Sequence, residues 1–222
     1  MVGHDIRAAA SMGQLRSVLR SRAWSGGSPR EVLDSLDGLV GGLGMADVAS
    51  CVYIDLSPVD DADGARTATY ARAGHLPPLL IAADGSVQLL EGALSTPVGI
   101  ANPPRGGFGG TSPEPDRAGP DAGADTEAEA EAEAGAGPEA SIDIPAGATL
   151  VLYTDGLLER RDRGQREGLE ELLQVISTIP PGTGADDMLA TIVPAMTADR
   201  LEDDLCVLIV RNAGSNPPAT NS

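Results

Sequence analysis

Ala148-Thr-Leu-Val-Leu-Tyr-Thr-Asp-Gly156 opens as a compact apolar run and stops on an acid and a glycine. Such a run, bounded by turn residues, predicts a buried strand, and it leaves the Asp155 carboxylate at the end of a sheet. A second stretch, Leu201-Glu-Asp-Asp-Leu-Cys-Val-Leu-Ile-Val210, reads as another buried strand over Leu205–Arg211 with Asp203 and Asp204 directly before it. Before both lie four more strand-like runs: Val48–Leu56, Thr67–Ala73, Leu79–Ala83 and Ser86–Leu90. Asp84-Gly85 joins the last two and predicts a two-residue hairpin turn. Helical periodicity covers residues 5–23, where Ala8, Met12, Leu15 and Leu19 recur at spacings of four, three and four, and also 167–177 and 184–197. Thr183 is a candidate cap for the last of these, and Pro194 lies near its end. Ser28-Pro29-Arg30-Glu31 supplies a cap, a first-turn proline and a reciprocal Glu for a further helix to about Leu43. The order of elements predicts an α+β protein with antiparallel sheet and helices on the outside.

Charge divides the chain. Its 222 residues carry 33 acidic and 15 basic side chains, a formal net charge of −18, and every basic residue is Arg. Residues 102–140 hold nine acids and two Arg, −7 of that total, with almost no large apolar side chain. Such a segment buries too little surface to offset its ordering entropy and reads as a disordered insertion. The expected organisation is therefore an ordered block over 1–101, the insertion over 102–140, a second ordered block over 141–211 and a polar tail over 212–222. A pI near 4.2 without a basic cluster excludes nucleic-acid binding and adsorption to an anionic membrane. No apolar run approaches the ~20 residues that span a bilayer. No signal-peptide pattern opens the sequence, so a cytoplasmic protein is expected. The Arg-only, Ala/Gly/Pro-heavy usage resembles the output of a GC-rich bacterial genome, which says nothing about fold. Cys51 and Cys206 sit in apolar strand-like runs and are expected to be reduced core residues. Trp24 is expected to pack.

The candidate chemistry is carboxylate chemistry. Asp155, Asp203 and Asp204 stand at predicted strand ends, and carboxylates at adjacent strand ends can share a hard divalent cation such as Mg²⁺ or Mn²⁺. Taken alone, an Asp-Gly after a strand is most often a turn, and a Glu-Asp-Asp run most often a solvated loop. The competing centres fail by count. Two histidines, His4 and His75, exclude a His-rich zinc site, the lack of Lys excludes a Walker phosphate loop, and no Gly-x-Ser-x-Gly pattern occurs.

Four strings then occur in one order: Val2-Gly-His-Asp-Ile-Arg-Ala-Ala-Ala-Ser-Met-Gly-Gln-Leu-Arg16, Tyr70-Ala-Arg-Ala-Gly-His-Leu-Pro-Pro-Leu-Leu80, Leu152-Tyr-Thr-Asp-Gly-Leu-Leu-Glu159 and Asp203-Asp-Leu-Cys-Val-Leu-Ile-Val-Arg211. Together they resemble the metal-dependent protein phosphatases (PPM family), in the bacterial branch typified by SpoIIE and RsbU. The resemblance implies two stacked antiparallel sheets flanked by helices. It also implies hydrolysis of phosphoserine or phosphothreonine at a two-metal Mn²⁺/Mg²⁺ centre, on small phosphorylated regulators such as antagonists of anti-sigma factors. By position, Asp155 and Asp203 match two metal-binding aspartates of the family. Asp204 matches the residue after the second and is the weaker ligand candidate. His4 falls at a variable position, and His75 is expected to fix the turn before Pro77-Pro78. A homodimer through the first helix is compatible with the pattern.

The departure is at the front. Aligning Gly3 with the last Gly of the family's Gly-Asp-Val-x-Gly-type motif puts the metal-bridging Asp one residue before Met1. The sequence is thus expected to be truncated at its N-terminus, without the family's first strands and first metal-binding Asp. Loss of that Asp sets a second reading beside the phosphatase: a catalytically inactive regulatory or binding module.

Overall fold

The computed structural model describes residues 6–42, 48–60, 62–100, 138–160, 163–197 and 204–214. His4 and Asp203 fall outside them, as does the expected insertion as far as residue 137. Four α-helices, α1 (Ile6–Ser25), α2 (Pro29–Gly42), α3 (Gln165–Ser177) and α4 (Ala185–Thr197), accompany eight strands among the described residues. The strands are β1 (Cys51–Leu56), β2 (Arg66–Ala73), β3 (Leu79–Ile81), β4 (Val87–Leu89), β5 (Leu94–Ser95), β6 (Ala140–Ile144), β7 (Thr149–Tyr153) and β8 (Val207–Arg211). They form two four-stranded sheets, one ordered β1-β2-β5 with β6 also on β2, the other β4-β3-β7-β8. The predicted α+β class is the one observed. Two strands, β5 and β6, have no counterpart in the sequence reading, and β5 pairs with β2 in parallel rather than antiparallel fashion.

The chain divides into two compact units. The first comprises Met1–Tyr53, Ala71–His75 and Ala93–Glu139. Here the capping box forms as read: Glu31 accepts from the Ser28 amide at 2.9 Å, and the Ser28 hydroxyl accepts from the Glu31 amide at 3.4 Å. The helix it starts buries Val32, and its Leu33, Leu36 and Val40 cluster with Leu15 of α1 and the small side chains Ala49, Ala71, Ala73 and Val98. Each large side chain so buried stabilises the unit by ~1.5–3 kcal/mol. The expected α1 stripe is only partly realised. Leu15 is buried with Val18 and Leu19 beside it, whereas Met12 is half exposed. Trp24 is 93 % exposed and does not pack as expected.

The end of β2 turns sharply at Gly74, whose φ of +64° lies in the left-handed region where a Cβ is penalised. A Cβ there would also lie 2.4 Å from the Pro97 side chain. Buried Arg72 donates from Nη1 to the His75 carbonyl at 2.8 Å. The turn before Pro77-Pro78 is thus tied through the backbone of His75 by an arginine the sequence reading passed over.

The second unit comprises Ile54–Tyr70, Leu76–Gly92 and Ala140–Ser222. Its sheet β4-β3-β7-β8 is antiparallel throughout, with Leu79 opposite Val151 and Tyr153 opposite Val207. Alternate residues point to one face. Leu79, Ile81, Val151 and Tyr153 accordingly join one apolar cluster with Leu172 and Ile176 of α3 and Met188, Ile192 and Met196 of α4. The helical members recur every fourth residue, as a core-facing stripe requires. Tyr153 keeps its hydroxyl satisfied by donating to the Pro77 carbonyl at 3.0 Å.

The β3–β4 connection corrects the expected two-residue turn. Ile81 pairs with Val87, the Ala82 amide donates to Ser86, and the Gly85 amide donates back to Ala82. The loop is therefore three residues long with Gly85 left-handed at φ +88°, the bulged hairpin alternative. Hydrogen bonds from the Ser86 hydroxyl and amide lower the pKa of Asp84. Thr183 does not cap α4; its hydroxyl donates to the Pro180 carbonyl and its carbonyl accepts from Arg211. Asn212 is buried, and its amide group donates to the Gly64 and Ile144 carbonyls at 2.9 and 2.8 Å.

Candidate metal centre at the end of the β7–β8 ladder

Antiparallel pairing of β7 with β8 brings the C-terminal end of one to the N-terminal end of the other, so the residues after Tyr153 meet those before Val207. Asp155 and Asp204 are both exposed at this end of the sheet. The pairing thus puts the segments that carry Asp155 and Asp204 at the same end of the sheet; Asp203 lies outside the described residues.

Asp155 begins a single turn of 3₁₀ helix, Asp155–Leu157. Its carbonyl accepts from the amides of Leu158 and Glu159, both at 2.8 Å, and its carboxylate accepts from the Gly156 amide at 3.1 Å. Leu157 and Leu158 then plunge into the apolar cluster and anchor the turn from below. The chain beyond is clamped by Arg163, whose Nε donates to the Leu158 carbonyl at 2.9 Å and whose guanidinium pairs with Glu171 of α3. Arg160 donates to the Met196 carbonyl at the end of α4. At Gly168 of α3 a Cβ would lie 2.2 Å from the Leu158 carbonyl oxygen, so the helix and the segment after Asp155 approach as closely as backbones can. None of Arg160, Arg163 and Gly168 was singled out from sequence. A glycine in the first turns of a helix was the one visible signal, since glycine there costs helix stability and asks for a packing reason.

Thr154 links the two acids. Its amide donates to the Cys206 carbonyl at 3.0 Å, its hydroxyl accepts from the Cys206 amide at 2.9 Å, and the hydroxyl donates to the Asp204 carbonyl at 3.1 Å. Cys206 is exposed here, not in the core as expected. Cys51 is part-buried beside the first unit's apolar cluster, and burial of its thiol raises the pKa to about 11.

Exposed carboxylates are the donors that a hard divalent cation takes, so Asp155 and Asp204 suit one in chemistry. Among the described residues no group of three or more His, Cys, Asp or Glu side chains is placed to hold a metal. No helix among them is long and apolar enough to cross a membrane.

Solved structures agree on the class. The RsbU and RsbW domains of Rv1364c from Mycobacterium tuberculosis match with a TM-score of 0.70 and 26 % identity, over 97 % of this chain and 52 % of that one. The PP2C phosphatase domain of SpoIIE from Bacillus subtilis, solved with a fragment of its regulatory domain, matches at 0.61 and 18 % identity, over 95 % and 52 %. The SiaA PP2C domain of Pseudomonas aeruginosa matches at 0.58 and 16 % identity, over 95 % and 71 %. The fold is that of the PP2C-type phosphatase domains, and the chain spans about half the length of the first of these relatives. A family model described as Stage II sporulation protein E (SpoIIE) matches residues 1–108 and 128–213, and the chain belongs to that family.

Proposed function

We propose that this chain hydrolyses phosphoserine or phosphothreonine on a regulatory protein, with divalent cations held where β7 and β8 end. Asp155 and Asp203 are the principal ligands in this reading and Asp204 the lesser one. The carrying observation is the convergence of Asp155 and Asp204, exposed and tied together through Thr154, at one end of the β7–β8 ladder, where Leu150, Val151 and Tyr153 of β7 are buried. A bound Mn²⁺ or Mg²⁺ supplies acidified water and neutralises charge on the phosphoryl oxygens. The protein's part is positional. Leu157 and Leu158, sunk in the core, hold the 3₁₀ turn so that the Asp155 carboxylate stays at the surface. The double acceptor at the Asp155 carbonyl fixes the direction of the peptide that carries it.

The working site is taken to be cytoplasmic and the substrate a small phosphorylated protein such as an antagonist of an anti-sigma factor. Membership of a family with regulatory phosphatases supports the class of partner. The test is Mn²⁺-dependent phosphate release from a phosphoserine protein by the 222-residue chain and by Asp155→Asn. The reading expects activity in the first and a loss of ~100-fold or more in the second, the scale of removing one preorganised electrostatic group. Equal activity in Asp155→Asn would sink the metal assignment. Failure of both forms to release phosphate would favour the non-catalytic regulatory module instead.

A further inference from the structure

We infer that Thr154 is a positioning residue which sets the spacing of the acidic segments on either side of the candidate metal centre; the inference rests on the metal reading of that site. The β7–β8 ladder runs regularly from Thr149 opposite Arg211 to Tyr153 opposite Val207. One step further, the Thr154 amide still donates to the Cys206 carbonyl. A continued ladder would return a bond from the Cys206 amide to the Thr154 carbonyl. That carbonyl is engaged elsewhere, accepting from the Leu157 amide at 3.0 Å to open the 3₁₀ turn of Asp155. The Thr154 hydroxyl takes its place, accepting from the Cys206 amide at 2.9 Å.

The exchange lets the chain do two incompatible things at one residue. The backbone leaves the strand for the turn that presents Asp155, while the side chain keeps β8's leading segment paired. Donation of the same hydroxyl to the Asp204 carbonyl, at 3.1 Å, extends the hold to the acidic residue itself. A hydroxyl provides one donor and two acceptor sites, so both bonds are made at once. Both of these bonds go to main-chain atoms, so in this role Thr154 acts through the backbone of Asp204 and Cys206. Outer groups that orient ligands in this way govern metal affinity as well as rate.

The experiment compares the full chain with Thr154→Val, Thr154→Ser and Asp155→Asn. Valine keeps the β-branched shape and removes the hydroxyl, whereas serine keeps the hydroxyl. Free Mn²⁺ is titrated by electron paramagnetic resonance, and exchange of the Cys206 amide is followed by NMR. Thr154→Val is expected to weaken Mn²⁺ binding by ~10–100-fold. Its Cys206 amide is expected to exchange about tenfold faster, the scale of one lost hydrogen bond. Thr154→Ser restores both to within a few-fold. A folded Thr154→Val with wild-type Mn²⁺ affinity and unchanged Cys206 exchange overturns the inference. So does a serine variant as impaired as valine, because it would assign the effect to packing. If Asp155→Asn binds Mn²⁺ like the parent, the metal reading itself fails. If Asp155→Asn loses binding while Thr154→Val keeps it, only the positioning role falls. Should Thr154→Val fail to fold, the serine variant and the parent's own Cys206 protection decide, an unprotected amide counting against the inference.

Discussion

Replacing Gly168 by Ala tests the contact that seats the Asp155 turn. In an open helix this change stabilises by ~0.5–1 kcal/mol, because alanine loses less backbone entropy on folding. Here the new Cβ would fall 2.2 Å from the Leu158 carbonyl oxygen and 2.8 Å from both its carbonyl carbon and its Cα, against 3.4–4 Å for ordinary contact. The obstruction is backbone, so no rotamer change relieves it, and α3 or the segment after Asp155 must move by roughly 1 Å. Overpacking of that kind costs ~1–3 kcal/mol. The sign therefore reverses to a net loss of ~1–2 kcal/mol, or a melting temperature lower by ~2–8 °C in a protein of this size. Because the Leu158 amide is bonded to the Asp155 carbonyl, the displacement is expected to reach Asp155 and, under the proposed metal reading, to lower Mn²⁺-dependent phosphate release. Gly38 of α2, with nothing within 4 Å of its would-be Cβ, is the internal control and should gain stability on the same change. Urea and thermal unfolding of both variants, followed by circular dichroism, make the comparison. Gly168→Ala as stable as the parent, with Gly38→Ala behaving as expected, would refute the close approach.

Two further outcomes are expected. Gly74→Ala meets a φ of +64° and the Pro97 ring at 2.4 Å together, and it should lower the urea midpoint by the equivalent of ~2 kcal/mol or more; an unchanged midpoint would contradict the turn geometry. A thiol reagent at pH 8 should label one cysteine per chain rapidly, with Cys206→Ser abolishing that phase, because Cys206 is exposed and the Cys51 thiol ionises only at about 11. The raised pKa means that the folded chain holds this proton more tightly than the unfolded chain. The Cys51 contribution is thus intact below the ordinary thiol pKa of 9.0 and is lost as pH climbs toward about 11. Two fast thiols at pH 8 would show that Cys51 is not shielded.

Features coded by neighbours in sequence were legible from it. The Ser28–Glu31 capping box, the helical stripes of α3 and α4, the apolar run of β7 and the acid after it all follow from periodicity and cap chemistry within a few residues. Asp155 was legible for the same reason, as an acid placed just where a buried strand stops. Features that depend on distant partners were not. β6 escaped notice because Ala140–Ile144 follows the acidic stretch and carries little apolar signal, and its strand character comes from pairing with β2. The expected burial of Cys206 and Trp24 failed because a hydrophobic residue type does not say which face of an element meets a neighbour.

The sequence by itself determined the class of elements, their order and the kind of side chain available for chemistry, since propensity, capping and turn formation act over one or two turns of chain. Only the tertiary structure decided how the site is held. That Thr154 trades its carbonyl for its hydroxyl, that Arg163 and Gly168 grip the segment after Asp155, and that Asn212 closes on Gly64 and Ile144 are contacts across up to 148 residues of sequence. Hydrogen bonds and steric limits act through space, and the partners they select exist only once the chain has folded.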